Sequence, residues 1–177
     1  MSLAIGQKAP DFSLPGVDGK NHSLKELAKH QALIVIFSCN HCPYVQAYED
    51  RMIELQKIYG PQGVQIAAIN SNDAKNYPED SFENMVRRAR EKKFNFLYLR
   101  DESQAVAKAY GATHTPHIFL FDQVRALRYT GKIDDNWKDP AQVKKRHLRE
   151  ALDAILVGNP VTEPETFAIG CTIKWKN

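Results

Sequence analysis

Two cysteines separated by two residues have the types and the spacing that could do chemistry. Cys39 and Cys42 lie in residues 37–45, FSCNHCPYV, between an apolar run and a segment with helical periodicity. Such a pair can exchange two thiols for one disulfide, and the short spacing makes the second step of that exchange intramolecular. The alternatives are half of a metal site or two buried packing residues.

The position of Cys39 predicts a reactive thiol. It follows a predicted strand and precedes a predicted helix, whose unpaired N–H groups and dipole favour a thiolate. We therefore expect Cys39 to be the more exposed and more acidic nucleophile, and Cys42, one helical turn later, to resolve the mixed disulfide. His41 lies between them, and its imidazolium is expected to stabilise the thiolate and raise the reduction potential.

The surrounding sequence predicts alternating strands and helices. Short apolar runs rich in β-branched residues predict buried strands, and apolar residues three and four positions apart predict amphipathic helices. The predicted strands are residues 33–37, 64–69, 94–99, 117–121 and 126–130, the last two forming an antiparallel hairpin. The predicted helices are residues 43–59, 82–89, 103–110 and 139–158. This order favours an α/β fold with a central mixed sheet flanked by helices.

The C-terminal part predicts a final helix and an extended tail. Asp139 and Pro140 suit the cap and the first turn of that helix. In the tail, residues 159–177, apolar residues alternate with others and are expected to pack on the body. They are Phe167, Ile169, Ile173 and Trp175. We expect one domain, residues 1–177, with its core at about residues 5–158.

Composition excludes several classes of protein. The chain has 177 residues, of which 43% are hydrophobic, enough for one well-packed core. Its net charge of +3 is too small and too dispersed to indicate a nucleic-acid partner. The sequence has no apolar stretch of membrane-spanning length and no secretory signal, so we expect a cytoplasmic protein without a membrane partner. Without a glycine-rich phosphate loop, no organic cofactor is expected.

A Thr-Pro dipeptide far downstream adds a resemblance to a known family. Thr115 and Pro116 precede the predicted strand at residues 117–121. With the buried strand, the Cys-x-x-Cys and the helix, they resemble the thioredoxin fold. Residues 9–14 and 18–20 resemble the N-terminal hairpin of its alkyl hydroperoxide reductase/thiol-specific antioxidant branch, the redoxins. The resemblance implies that a cis Pro116 faces the cysteines and that Thr115, Pro116 and His114 bind substrate.

This resemblance implies a thiol–disulfide oxidoreductase. Its substrate would be a protein disulfide or a small thiol, and a reductase or thiol pool would supply electrons. A thiol-dependent peroxidase is an alternative, but peroxiredoxins carry Pro-x-x-x-Thr-x-x-Cys, and Ala32 and Ile36 stand at those places before Cys39. Thioredoxins bury an aspartate in the strand before the active site as a proton relay, but in this sequence Ile36 occupies the nearest position. The proton acceptor of Cys42 therefore stays open among lysine, glutamate and water.

Two further interpretations concern metal binding and a third thiol. Zinc or cuprous copper could be held by thiolate and imidazole ligands. The candidate ligands are Cys39, His41, Cys42, His114 and His117. Cys171, near the C-terminus, is either a small apolar residue that holds the tail or a third thiol that exchanges with the pair.

Overall fold

The computed structural model describes residues 1–177, in which strands and helices alternate. The strands are β1 (Ser13–Pro15), β2 (Asn21–Ser23), β3 (Ala32–Phe37), β4 (Val64–Asn70), β5 (Leu97–Arg100), β6 (His114–Thr115), β7 (His117–Phe121), β8 (Leu127–Gly131) and β9 (Cys171–Thr172). The helices are α1 (Pro43–Tyr59), α2 (Phe82–Lys92), α3 (Ala105–Tyr110) and α4 (His147–Leu156).

The main sheet has five strands in the order β5-β4-β3-β7-β8. β3, β4 and β5 are parallel, whereas β7 and β8 are antiparallel to their neighbours. The central strand β3 is buried along its whole length, as its unbroken apolar sequence predicts. The expected mixed sheet and the hairpin of its last two strands are therefore confirmed.

Alternation along β3 divides the core into two layers. Ile34 and Ile36 pack against α1, α2 and α4 on one face of the sheet. Leu33, Val35 and Phe37 pack on the other face, against α3 and the segment around β1. Because both faces of the sheet are covered, the register of β3 is fixed. The end of β3 at Phe37, after which the cysteine-containing loop begins, is therefore fixed as well.

The N-terminal hairpin and the first helix also agree with the sequence. β1 and β2 pair antiparallel, with Leu14 opposite His22, and Gly19 takes the positive φ that their turn requires. α1 begins at Pro43 and ends before Gly60. Its buried side chains include the predicted apolar stripe of Val45, Tyr48, Met52, Leu55 and Tyr59.

The prediction for the final helix was wrong at its start. Asp139 does cap a turn, accepting a hydrogen bond from the N–H of Ala141 at 2.9 Å, but that turn is a short 3₁₀ helix. The following backbone bonds Asp135 instead of continuing the helix: the Asp135 carboxylate accepts from the Lys144 N–H, and the Asp135 N–H donates to the Lys145 carbonyl. α4 consequently begins only at His147.

The expected burial of the tail is correct at one position. Ile173 is 3% exposed, whereas Phe167 is 91% exposed, and Ile169 and Trp175 are also exposed. The tail is not one continuous strand: it bonds β8 through Thr166 and Thr130, and forms β9 only later. A single alternation therefore cannot describe its faces. β5 likewise begins at Leu97, later than predicted.

None of the helices has the length and apolar character needed to cross a bilayer.

The fold predicts where truncation is costly. Ile34→Ala removes a fully buried side chain from the central strand and should lower the free energy of unfolding by about 2–5 kcal/mol. Phe167→Ala, on the exposed tail, is the matched control and should change it by at most about 0.5 kcal/mol. Urea unfolding measures both values. A loss at Phe167 as large as that at Ile34 would contradict this account of the core.

Candidate active site

The cysteine pair lies in the connection between β3 and α1. Cys39 and Cys42 are 2% and 0% exposed. Cys42 has extended backbone angles and is the N-cap residue of α1, because Pro43 occupies the first helical position. The predicted helix start at Pro43 is therefore confirmed, but Cys42 caps the helix instead of lying one helical turn inside it.

Thr115 contacts both sulfurs. Its Oγ1 lies 3.4 Å from the Sγ of Cys39, and its carbonyl oxygen lies 3.3 Å from the Sγ of Cys42. The Thr115–Pro116 peptide bond is cis, as the resemblance implies. The end of β6 thus faces the cysteine pair directly, and Pro116 after it leaves one backbone position without an N–H donor.

A buried carboxylate, Asp80, organises the residues between the cysteines. Its Oδ2 lies 2.6 Å from the Nδ1 of His41, and its Oδ1 accepts the backbone N–H of Asn40 at 2.7 Å. The amide of Asn72 donates to the same carboxylate at 2.9 Å. Asp80 is 0% exposed, so the Asn40 and Asn72 donors replace the water that a charged group would otherwise require.

Sequence reasoning missed Asp80, although a signal was present. The residue ends the polar loop that follows β4, and β4 is the parallel neighbour of β3. Because the carboxyl ends of parallel strands meet at one edge of the sheet, polar residues after β4 come close to those after β3. Forty residues of sequence separation concealed this proximity.

Asn40 has a structural role. Its side chain accepts a hydrogen bond from the Tyr98 hydroxyl at 2.7 Å and donates to the Glu79 carbonyl at 2.9 Å. Since Asn40 is buried, both bonds fix the loop that carries the cysteines. The neighbouring His41 contacts Asp80 and remains partly exposed.

The two thiols differ in acidity. The pKa of Cys42 is lowered, chiefly by the hydrogen bond with the Cys39 thiol and further by the Cys171 thiol and the Val45 N–H. The pKa of Cys39 is raised by that same bond, by burial and by the charge of Asp80. These directions favour ionisation of Cys42 before Cys39, whereas the sequence predicts Cys39 as the more acidic thiol.

The two histidines beside Thr115 bond to the protein. The Nδ1 of His114 lies 2.8 Å from the hydroxyl of Thr113, and the Nδ1 of His117 accepts the Thr113 N–H at 3.2 Å. Burial lowers the pKa of His117 to about 4, so it is neutral near pH 7. Neither joins the sulfurs in a group of possible metal ligands.

A different set of possible metal ligands forms. A sulfur of Cys39, a ring nitrogen of His41 and a carboxylate oxygen of Asp80 lie within 4.8 Å of one another. Sulfur, imidazole nitrogen and carboxylate oxygen are all ligands of zinc. The structure thus keeps two of the predicted ligands and replaces the rest with Asp80.

The third cysteine lies against the pair. The Sγ of Cys171 is 2.9 Å from the Sγ of Cys42. Cys171 belongs to β9, which pairs antiparallel with β6 so that Cys171 stands opposite Thr115. The residue is partly exposed, unlike Cys39 and Cys42.

A mixed sheet whose central strand leads into a Cys-x-x-Cys, with a cis proline facing that pair, defines the thioredoxin-like class of folds. The thioredoxin domain of a thiol-disulfide oxidoreductase from Bacteroides vulgatus shares this fold, with a TM-score of 0.61 at 20% identity over 71% of this chain and 86% of that one. The fold implied by the resemblance is therefore confirmed. The family model Redoxin matches residues 4–146, and the chain belongs to that family.

Other relatives differ in how much of the chain they match. Thiol-disulfide oxidoreductase ResA of Geobacillus thermodenitrificans is 30% identical over 124 residues, 69% of this chain. The match spans 66% of that relative, just under two thirds of its length. An uncharacterized conserved protein from Geobacillus kaustophilus is 44% identical with a TM-score of 0.92, covering 98% of this chain and 93% of the other.

The unequal acidity predicts the ionisation of the reduced protein. We expect one thiolate to persist well below the ordinary thiol pKa of about 8.5, because the Cys39 thiol, the Cys171 thiol and the Val45 N–H lower the pKa of Cys42. Titration of the ultraviolet thiolate absorbance against pH measures it. Cys42→Ser should remove this acidic thiolate.

The matched control is Cys39→Ser, which keeps a hydroxyl beside Cys42. This variant should retain a thiolate with a lowered pKa, since a hydroxyl can still donate to the sulfur of Cys42. An acidic thiolate that survives in Cys42→Ser and disappears in Cys39→Ser would restore the assignment made from the sequence.

Proposed function

We propose that this protein is a thiol–disulfide oxidoreductase that uses Cys39 and Cys42 as its dithiol. The observation that carries the proposal is the placement of both sulfurs against Thr115, with the Thr115 Oγ1 3.4 Å from the Sγ of Cys39 and the Thr115 carbonyl oxygen 3.3 Å from the Sγ of Cys42. A neighbouring thiolate ready to displace a mixed disulfide is what the second step of exchange needs. The name of the relative ResA agrees with this proposal.

The arrangement gives each cysteine a different role. Cys39 loses its proton to His41 and attacks one sulfur of the substrate disulfide, whose other sulfur leaves as a thiolate. The Cys42 thiolate then attacks the Cys39 sulfur, which forms the Cys39–Cys42 disulfide and releases the second substrate sulfur. The substrate gains two electrons, and the pair loses two. The lowered pKa of Cys42 favours its ionisation for this second step.

His41 and Asp80 supply the base for the first step. The pKa of Cys39 is raised, so the thiol must be deprotonated as it attacks. A His41 ring nitrogen lies within 4.8 Å of the Cys39 sulfur, and the Asp80 carboxylate orients the imidazole through Nδ1. Activated nucleophiles commonly have such a base that is itself oriented by a third group. His41 is also the partly exposed residue of the three.

We further propose that the substrate is a protein or small disulfide and that its backbone docks beside Pro116. A partner reductase or a thiol pool supplies the electrons that reset the pair. The peroxidase alternative has less support, because Ala32 and Ile36 lie inside the buried strand β3, where neither can polarise a peroxide.

Cysteine variants test the proposed roles. Cys39→Ser should reduce turnover of a model protein disulfide to the uncatalysed rate, because no attacking sulfur remains. Cys42→Ser should accumulate a mixed disulfide between Cys39 and the substrate, because no second thiol displaces it. Intact-protein mass spectrometry and a disulfide-reduction assay measure these outcomes.

The same preparations separate the alternatives. Reduced wild-type protein should react with disulfides far faster than with hydrogen peroxide in stopped-flow measurements. Fast peroxide turnover would instead support the peroxidase. The grouping of Cys39, His41 and Asp80 favours a metal carrier as the second candidate, and one tightly held zinc or copper ion per chain by elemental analysis would support it.

Removing the base should change the rate and its pH dependence together. We expect His41→Ala to slow disulfide reduction at neutral pH by on the order of 10²-fold, with a smaller loss as the pH rises and Cys39 ionises without a base. His30→Ala, at the opposite end of β3, is the matched control and should keep the wild-type rate. A uniform loss at every pH would make His41 a residue of the fold alone.

A further inference from the structure

The tail occupies the edge of β6 next to Pro116. β9 pairs antiparallel with β6, with Cys171 opposite Thr115 and Thr172 opposite His114. Gly170 allows this close approach, since a Cβ atom there would overlap the carbonyl group of Thr115. An extended peptide that binds by adding a strand uses the same backbone contacts. The chain therefore holds its own segment where we propose that a substrate docks.

Polar residues of the body hold this segment in place. The Asn72 side chain accepts the Lys174 N–H at 2.9 Å, and the Asp73 N–H donates to the Lys174 carbonyl at 2.8 Å. The Gln104 amide donates to the Lys174 carbonyl at 2.9 Å and accepts the Lys176 N–H at 3.0 Å. Asn72 and Gln104 are both buried, so their hydrogen bonds to the tail replace hydrogen bonds to water.

This anchoring fixes the third sulfur against the second. The Sγ atoms of Cys171 and Cys42 are 2.9 Å apart, closer than a typical contact between sulfur atoms that do not interact. Cys171 is also the one cysteine of the three that is partly exposed. The site thus contains three neighbouring thiols. In space they run from the buried Cys39 through Cys42 to Cys171, which is partly exposed at the protein surface.

We propose that Cys171 is a third redox thiol that exchanges with the dithiol, an inference that rests on the proposed function. In the oxidised protein the Cys171 thiolate attacks the Cys42 sulfur of the Cys39–Cys42 disulfide. The Cys42–Cys171 bond forms as the Cys39–Cys42 bond breaks, and the proton lost by Cys171 is balanced by the one that Cys39 regains. No external oxidant is needed, because the number of thiols and disulfides is unchanged.

The exchange moves the disulfide toward the surface. While the tail is docked, Cys39 and Cys42 are buried and Cys171 is partly exposed. A reducing thiol therefore reaches Cys171 more readily than either of the other two cysteines. A dithiol donor that attacks the Cys171 sulfur displaces the Cys42 thiolate, whose lowered pKa makes it a good leaving group. The second donor thiol then releases Cys171, and two electrons have entered the site. Substrate and electron donor thereby use different sulfurs.

Mapping of the disulfide tests the inference. The full chain is oxidised with a dithiol disulfide or oxidised glutathione, quenched in acid, alkylated, digested without reduction and analysed by mass spectrometry. We expect a Cys42–Cys171 peptide pair with Cys39 alkylated as the main oxidised species. Gly170→Ala should reduce this species by about tenfold or more in favour of Cys39–Cys42, because the added methyl group displaces the docked tail.

A second measurement follows electron entry. Cys171→Ser should keep the reduction of a model disulfide when the Cys39–Cys42 pair starts in the reduced state, and should slow re-reduction of the oxidised pair by a dithiol donor. Linkage of Cys39 to Cys42 alone in wild-type protein, with Cys171 alkylated, would overturn the inference. A Cys42–Cys171 bond that dithiothreitol leaves intact in the folded protein would also overturn it, because such a bond is structural.

The two proposals fail in different ways. If only the role of Cys171 is wrong, disulfide turnover persists in every variant that keeps Cys39 and Cys42, and Cys171→Ser re-reduces at the wild-type rate. If the proposed function is wrong, no variant turns over a model disulfide, whichever cysteines the mapping finds linked.

Discussion

The buried charge of Asp80 is the constraint on which the site depends. A carboxylate without exposure must have donors around it, and these come from two separate pieces of chain: Asn40 before α1, and Asn70 and Asn72 at and just after the end of β4. Asn72 in turn accepts the backbone of the tail at Lys174. One carboxylate therefore links the geometry of the cysteine loop to the docking of β9.

Many of the strands and helices around the site can be predicted from the sequence because they depend on local patterns. β3 is an unbroken apolar run, and α1 has apolar residues at three- and four-residue steps between clear end signals. The cis bond before Pro116 is implied by the resemblance to the thioredoxin fold. These features need little knowledge of what the chain meets in space. The parts that failed, the start of α4 and the faces of the tail, are set by hydrogen bonds to distant residues such as Asp135 and Thr130.

The candidate site shows the same division. Sequence spacing is sufficient to select Cys39, His41 and Cys42, and the resemblance adds Thr115 and Pro116. The acidity of the thiols depends on contacts that spacing cannot give: Asp80 disfavours charge on Cys39, while Cys171, from far along the chain, lies 2.9 Å from the sulfur of Cys42. The presence of Pro43 at the first helical position, visible in the sequence, decides which cysteine caps the helix.

The tail is held at two points. Thr166 bonds to β8, and Ile173 and Lys174 bond to the body just after β9; Gly170 and Cys171 lie between these two points. A strand tethered in this way competes with any peptide from solution at the effective concentration of an intramolecular ligand, on the order of millimolar. A weakly bound peptide cannot displace it. Under the proposed docking beside Pro116, the resident strand sets a threshold of affinity that a substrate peptide must exceed.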